Sequence, residues 1–339
     1  KNFKKPILIA EMSGNHNQSL DKALAIVNAA ADSGAHILKL QTYTPDTITL
    51  DAKGPEFYIS DPRSLWKGQN LHDLYQSAYT PWEWHEQIIK EANKLGMTCF
   101  SSPFDESAVD FLEDLNVPAY KIASFENNHI PLIKKVASTG KPVIVSTGLA
   151  SISDLEDVVN TLKENGCNDF VLLKCTSTYP ASPSNSNILT IPHMMNLFNC
   201  DIGLSDHTLG IGTSIAAVSH GACLIEKHFT LDRKEGGVDS QFSLEPNEFK
   251  LLVEETERAW NSLGNVYYGP TADENNASKK RRSIYISKDL KKGEVLSNIN
   301  LKIIRPGLGL RPNLIDTVLG RKISRDVMRG TALTWDLIE

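Results

Sequence analysis

The chain lacks any apolar run approaching the roughly 20 residues that cross a bilayer as a helix, although it is 339 residues long. It also lacks a basic excess. Its 35 Lys and Arg stand against 41 Asp and Glu, a net charge of −6. That argues against a nucleic-acid or anionic-membrane surface, while leaving room for a local pocket for a small anion. No CxxC pair occurs. The five cysteines, Cys99, Cys167, Cys175, Cys200 and Cys223, are odd in number and fall mostly in apolar runs. Buried free thiols in a reducing, cytoplasmic compartment fit better than disulfides or a Cys metal site. The opening KNFKKPILIAEMSG sets basic residues before an apolar run, but Glu11 ends that run too early for a signal-peptide core.

What the chain does have is rhythm. Eight short apolar runs recur: 6–13, 36–43, 97–104, 119–124, 142–148, 169–178, 200–207 and 222–230. Amphipathic stretches such as SLDKALAIVNAAADSG and SISDLEDVVNTLKENG lie between them. These two open on a Ser/Asp cap and close on Gly. Eight strands alternating with helices predict an α/β fold, a (β/α)₈ barrel, over residues 1–263. A doubly wound open sheet is the alternative, because strand order is not written in one sequence. Residues 44–80 form a long insertion after the second run, rich in Pro, Gly, Asp and aromatics. They are expected to form an ordered flap. Residues 264–283 read as a linker. Residues 284–339 carry short strand-like runs, Gly turns and no long helix, and read as a small β-rich module.

Polar residues gather at the ends of the runs. They are Glu11, Lys39 and Gln41, Ser101 and Ser102, Lys121 and Ser124, and Ser146. Lys174, Thr176 and Ser177 end the sixth run, Ser205, Asp206 and His207 the seventh, and Glu226, Lys227 and His228 the eighth. In a barrel these ends share one face, where active sites lie. Any one of them is explained as ordinary strand-end polarity; eight polar ends together are not.

His207 and His228 end consecutive runs. Adjacent strands lie about 4.8 Å apart, so the two imidazoles can share one divalent ion with positions left open for water or substrate. Either histidine alone reads equally as a hydrogen-bonded core residue. Lys39 and Lys121 sit inside apolar runs, where burial is costly without an anionic partner. A substrate phosphate or carboxylate would serve, and so would Glu11 or Glu226. A Schiff-base lysine is a competing use. A non-catalytic sugar-binding protein is the alternative outside enzymes, but it has no need of paired strand-end histidines or buried lysines.

At this point the motifs become recognisable. EMSGNHN (11–17), KLQTY (39–43), SSPFD (101–105), KIASFE (121–126), STG (146–148), GLSDHT (203–208) and EKHFT (226–230) occur in that order. The chain resembles the sialic acid synthase family along nearly its whole length. RPG at 305–307 and its surroundings resemble that family's antifreeze-protein-like (SAF) domain. The resemblance implies an enzyme that condenses phosphoenolpyruvate with an open-chain amino sugar. Carbon 3 attacks the aldehyde, water adds at carbon 2, and phosphate leaves with C–O cleavage.

By motif, the resemblance makes His207 and His228 metal ligands, for Mn²⁺ with Mg²⁺ or Co²⁺ as substitutes. Lys39, Ser102, Lys121, Ser124, Ser146 and Ser205 become a phosphoenolpyruvate cradle. Gln41, Glu126, Tyr179 and Asp239 become sugar contacts, and Glu11 a carboxylate near the reacting carbons. Arg305 would reach the partner's site in a domain-swapped homodimer. Two positions depart from the N-acetylmannosamine-using pattern: Ser177 stands where Asn is usual, in contact with sugar and phosphoenolpyruvate, and Gln18 where Gly often follows NHN. These changes weaken assignment to N-acetylmannosamine, while EMSGNHN at 11–17 and the aromatic stretch 65–85 make the chain most similar to the pseudaminic acid branch. The implied sugar is a 2,4-diacetamido-2,4,6-trideoxyhexose of the altrose series.

Overall fold

The eight apolar runs become eight parallel strands: β1 (Ile7–Glu11), β2 (Ile37–Thr42), β3 (Thr98–Pro103), β4 (Tyr120–Ile122), β5 (Val143–Ser146), β6 (Phe170–Cys175), β7 (Asp201–Ser205) and β8 (Leu224–His228). They pair in chain order, and β8 pairs back onto β1, with Glu11 opposite His228. That closure removes the open-sheet alternative. The computed structural model describes residues 3–339. It divides into one unit ending at Gly264 and a second running from Asn265 to Glu339.

Side-chain alternation along each strand explains how one short sequence serves two environments. In β8, Leu224, Glu226 and His228 face the barrel axis, while Ile225 joins the shell between strands and helices. In β2, Leu38 and Leu40 pack outward, and Lys39 lies between them on the inner face. The lower interior is filled by Ile9, Phe100, Ile144, Leu173, Cys223 and Leu224. Above that apolar floor the inward positions turn polar. The floor excludes water, so charges standing on it interact in a low dielectric.

Helices wrap this barrel with the expected end signals. Ser19 caps Leu20–Asp32 by accepting from the Lys22 amide, and Ser151 forms a capping box with Asp154 at the start of Ile152–Glu164. Such caps contribute about 1 kcal/mol each. Gly34 and Gly166 follow the two helices at φ +83° and +93°, which a β-carbon would disfavour.

The 44–80 insertion is built from short helical pieces. Pro45–Ile48 makes one turn, Leu71–Ala78 a longer helix capped by Asn70, and Tyr58 bridges Asn70. All five cysteines are free. Among the described residues no helix is long and apolar enough to cross a membrane.

The second unit has its own core, including Ile284, Ile286, Leu290, Leu301, Ile323, Leu333 and Leu337. Its antiparallel pair, β9 (Ser283–Ile286) and β10 (Leu301–Ile304), is extended by isolated bridges such as Tyr285 to Ala332. Of residues 264–283, set apart as a linker by the sequence, all but Gly264 group with this unit, and they contain the helical turn Asn275–Ser278.

Candidate active site

A cavity of about 950 Å³ opens at the C-terminal ends of the barrel strands. Glu11, Lys39, Gln41, Lys121, Ser124, Glu126, Ser146, Ser177, Tyr179, Ser205, His207, His228 and Asp239 all line it. Two residues singled out in the sequence do not. Ser102 is fully buried behind the wall and accepts from Lys39 Nζ at 3.3 Å. Arg305 lies in the second unit, exposed, directly after β10.

Strand alternation also corrects the ring of polar ends. Lys174 projects away from the cavity and donates to the Cys175 carbonyl at 2.9 Å. Lys227 and Asp206 pair with each other at 3.0 Å in a buried position that does not line the cavity. Ser101 is buried against Thr42, 2.6 Å between hydroxyls.

The charged centre is a cluster of two carboxylates and two ammonium groups. Lys39 Nζ lies 2.6 Å from Glu11 Oε2 and 3.8 Å from Glu226 Oε1; Lys121 Nζ lies 3.7 Å from Glu226 Oε2. All four residues are less than 5% exposed. The lysines differ. Burial works against charge on both, but at Lys39 the carboxylates of Glu11 and Glu226 together overcome it, and its pKa is raised. Burial prevails at Lys121, whose pKa is lowered. Lys121 donates instead to Ser146 Oγ at 2.7 Å. It is a buried cation only loosely compensated, the condition that favours an anionic ligand.

Hydroxyls surround it. A β-carbon at Gly148 would stand 2.0 Å from Ser177 Oγ and 2.6 Å from Ser124 Oγ, so glycine there lets the two hydroxyls converge. Ser124 Oγ accepts the Gly148 amide at 3.1 Å, and Ser205 Oγ donates to Glu226 at 3.3 Å.

His207 and His228 stand with ring centres 5.4 Å apart. His207 Nδ1 is 3.0 Å from the Thr176 carbonyl, which fixes the proton on that nitrogen and leaves Nε2 with a lone pair. His228 Nδ1 is 3.3 Å from Asp239 Oδ2. Tyr179 packs against His207 at 4.5 Å, and Phe242 against His228 at 4.9 Å. Among the described residues no group of three or more His, Cys, Asp or Glu is arranged to hold a metal. An ion held by this pair would have to take its other ligands from water or substrate, as in a catalytic rather than a structural site.

Two further residues are placed here that the sequence did not single out as site residues. Ser13 hydrogen-bonds Asp239 Oδ2 and lies 3.4 Å from Gln41 Nε2, while Gln41 also donates to Glu11 at 2.8 Å. Its signal was its place two residues after Glu11. Glu226, read as one of the polar strand ends and a possible ion-pair partner but given no site role, sits between both lysines.

The 48–78 segment adds both apolar and polar lining, with Asp61, Arg63 and Ser64 among its polar members. Ile48, Ile59, Leu71, Leu74 and Ala78 line the cavity, with Trp66 and Tyr75. Of the seven aromatics in 57–84, only those two reach it. Trp82 stacks on Phe111 at 4.6 Å, and Trp84 meets His16 edge-on. Glu126 Oε2 is buried without a hydrogen-bond partner, and burial raises its carboxyl pKa to about 7.

A family model described as the NeuB family matches residues 26–268. The chain belongs to the NeuB family. It is accordingly a phosphoenolpyruvate-dependent enzyme that forms a carbon–carbon bond. Residues 281–339 match a SAF domain model.

Among NeuB-family relatives, the pseudaminic acid synthase of Campylobacter jejuni is 44% identical over 97% of this chain and 96% of its own. That of Helicobacter pylori is 42% identical over 98% of each. The crystal structure of the N-acetylneuraminic acid synthetase of Leptospira borgpetersenii superposes with a TM-score of 0.71 at 32% identity, covering 80% of this chain and 90% of that one. A NeuB barrel with a SAF domain leaves no place for the non-catalytic sugar-binding alternative.

Proposed function

We propose that this enzyme condenses phosphoenolpyruvate with 2,4-diacetamido-2,4,6-trideoxy-altrose and water, releasing pseudaminic acid and phosphate. The observation that carries the choice of sugar is the near full-length likeness to two pseudaminic acid synthases. The cavity supports it independently. A sugar with a carbon-6 methyl and two acetamido groups needs apolar surface, and Ile48, Ile59, Leu71, Leu74 and Trp66 offer it.

In this reading Lys121, with Ser146, Ser124 and Ser205 beside it, receives the anionic groups of phosphoenolpyruvate, and Lys39 bridges them to Glu11. Binding in that cradle fixes carbon 3 toward the sugar aldehyde and offsets the charge that builds on the departing phosphate. Glu11, held by Lys39 and Gln41, stands where it can stabilise positive character at carbon 2 or move a proton from the attacking water. Gln41, Glu126, Tyr179 and Asp239 orient the sugar. A divalent ion held by His207 and His228, Mn²⁺ with Mg²⁺ or Co²⁺ as substitutes, would polarise the aldehyde oxygen as a Lewis acid.

The active unit is a homodimer in which Arg305 of one chain completes the site of the other. This rests on the family resemblance and on the exposed position of Arg305 after β10. Five free thiols support a cytoplasmic location.

The test is a mass-spectrometric assay of the full chain with phosphoenolpyruvate and a panel of amino sugars. The diacetamido altrose sugar should exceed N-acetylmannosamine by well over tenfold in kcat/KM, because a site built around one set of polar groups leaves partners unpaired with another. Equal or better use of N-acetylmannosamine moves the enzyme to sialic acid synthesis, and preference for the legionaminate precursor moves it to that branch. A borohydride-trapped adduct on Lys121 would instead support imine chemistry.

A further inference from the structure

Outside the cavity that His207 and His228 line lies a second pair of charged residues. Lys227 Nζ and Asp206 Oδ2 are 3.0 Å apart, and both side chains are 1% exposed. Neither lines the cavity. The same ammonium donates to the Thr208 carbonyl at 2.6 Å. Asp206 is held by three further contacts. Its Oδ1 accepts the Thr208 amide at 2.9 Å, its Oδ2 accepts Ser214 Oγ at 2.6 Å, and its own amide donates to the Glu226 carbonyl at 2.9 Å.

These contacts have a particular layout. His207 lies between Asp206 and Thr208, and Lys227 grips both. Lys227 is itself the residue before His228. The register of β7 with β8 ends in backbone terms at the Asp206 amide; beyond it the His207 carbonyl turns to the Ala181 amide on the other side, at 2.9 Å. Past that divergence the buried ion pair ties the two histidine-bearing ends together. A bond from a side chain to both neighbours of one histidine fixes the direction of its Cα–Cβ bond.

We propose that Lys227 and Asp206, with Ser214 behind them, are positioning residues that set the spacing of His207 and His228 for a shared divalent ion. This rests on the reading of the histidine pair as the metal site. Groups behind metal ligands typically change affinity by 10- to 100-fold when lost. Removing one charge alone would leave the other buried and unpaired, so the informative change removes both. Asp206→Asn with Lys227→Met keeps the side-chain volumes and lets the amide oxygen still accept from Thr208.

The experiment titrates the metal-stripped full-length protein with Mn²⁺, following free Mn²⁺ by electron paramagnetic resonance. The double variant is expected to stay folded by circular dichroism and to bind Mn²⁺ at least tenfold more weakly. Its lost turnover should return as Mn²⁺ is raised, while KM for phosphoenolpyruvate at saturating metal stays at the wild-type value. Ser214→Ala, which leaves both charges in place, should weaken Mn²⁺ a few-fold and covers the case in which the double variant does not fold. A folded double variant, or Ser214→Ala if that alone folds, with wild-type Mn²⁺ affinity overturns the positioning role. The metal reading is judged separately on the unmodified background: if wild type and His207→Ala bind Mn²⁺ alike, the histidine site itself fails, and the positioning role with it.

Discussion

Lys39 and Glu11 meet at 2.6 Å on the ends of adjacent strands, both buried, whereas the neighbouring Lys121 has Glu226 no nearer than 3.7 Å. One lysine is paired before any substrate arrives; the other is held ready for it. Their substitutions should therefore separate. Lys39→Met leaves Glu11 as an unpaired buried charge and should cost about 3–5 kcal/mol of stability, read as a large fall in the urea midpoint. Lys121→Met should cost less stability and fall mainly on phosphoenolpyruvate. A charge-assisted contact of about 1.5–3 kcal/mol corresponds to a rise of roughly 10- to 150-fold in its apparent Kd. Equal stability losses with unchanged phosphoenolpyruvate kinetics would contradict this division.

His207→Ala and His228→Ala should each abolish turnover with little change in the circular dichroism spectrum. EDTA should do the same to the wild type, reversibly on adding Mn²⁺. Full activity in the chelated protein would show that the pair serves another purpose.

Glu126 gives a pH signature. Burial raises its carboxyl pKa to about 7 against an ordinary 4.5. The folded state thus binds this proton more tightly than the unfolded state, so its contribution to stability is present below pH 4.5 and is lost as pH rises to 7. Glu126→Gln removes the titration. It should stabilise the protein at pH 8 by roughly 3 kcal/mol relative to wild type, and hardly at all at pH 4.5, while raising KM for the sugar. A pH-independent stability difference between the two proteins would rule out the elevated pKa.

Arg305→Ala and His207→Ala are each expected to be inactive alone. Mixed under conditions of confirmed subunit exchange, they should recover part of the activity, because a heterodimer retains one site with both residues intact. Lack of recovery would mean that Arg305 acts within its own chain or not at all.

How much of this was legible follows from what sequence encodes. Lys39 and Lys121 stood out because lysine inside an apolar run demands a partner. The barrel stood out because strand and helix periods alternate eight times. The consecutive residues Glu226, Lys227 and His228 did not reveal that the middle one points away, since alternation assigns faces only once the register is known. Asp239 and Tyr179 come from loops and were reached only through family resemblance. Composition recorded seven rings, but the turns of 45–84 send Trp82 and Trp84 into packing and bring aliphatic residues to the cavity instead.

The apolar lining of the cavity is drawn largely from one stretch, Ile48 to Ala78, whereas the charged end takes residues from strands spread from Glu11 to His228. The two halves of the reaction are thus unequally free to diverge. A change to the phosphoenolpyruvate end would have to be matched around the whole barrel. The apolar surface offered to the sugar, by contrast, can be recast within one contiguous segment between β2 and β3, while the polar sugar contacts at Gln41, Glu126, Tyr179 and Asp239 stay with the rest of the barrel.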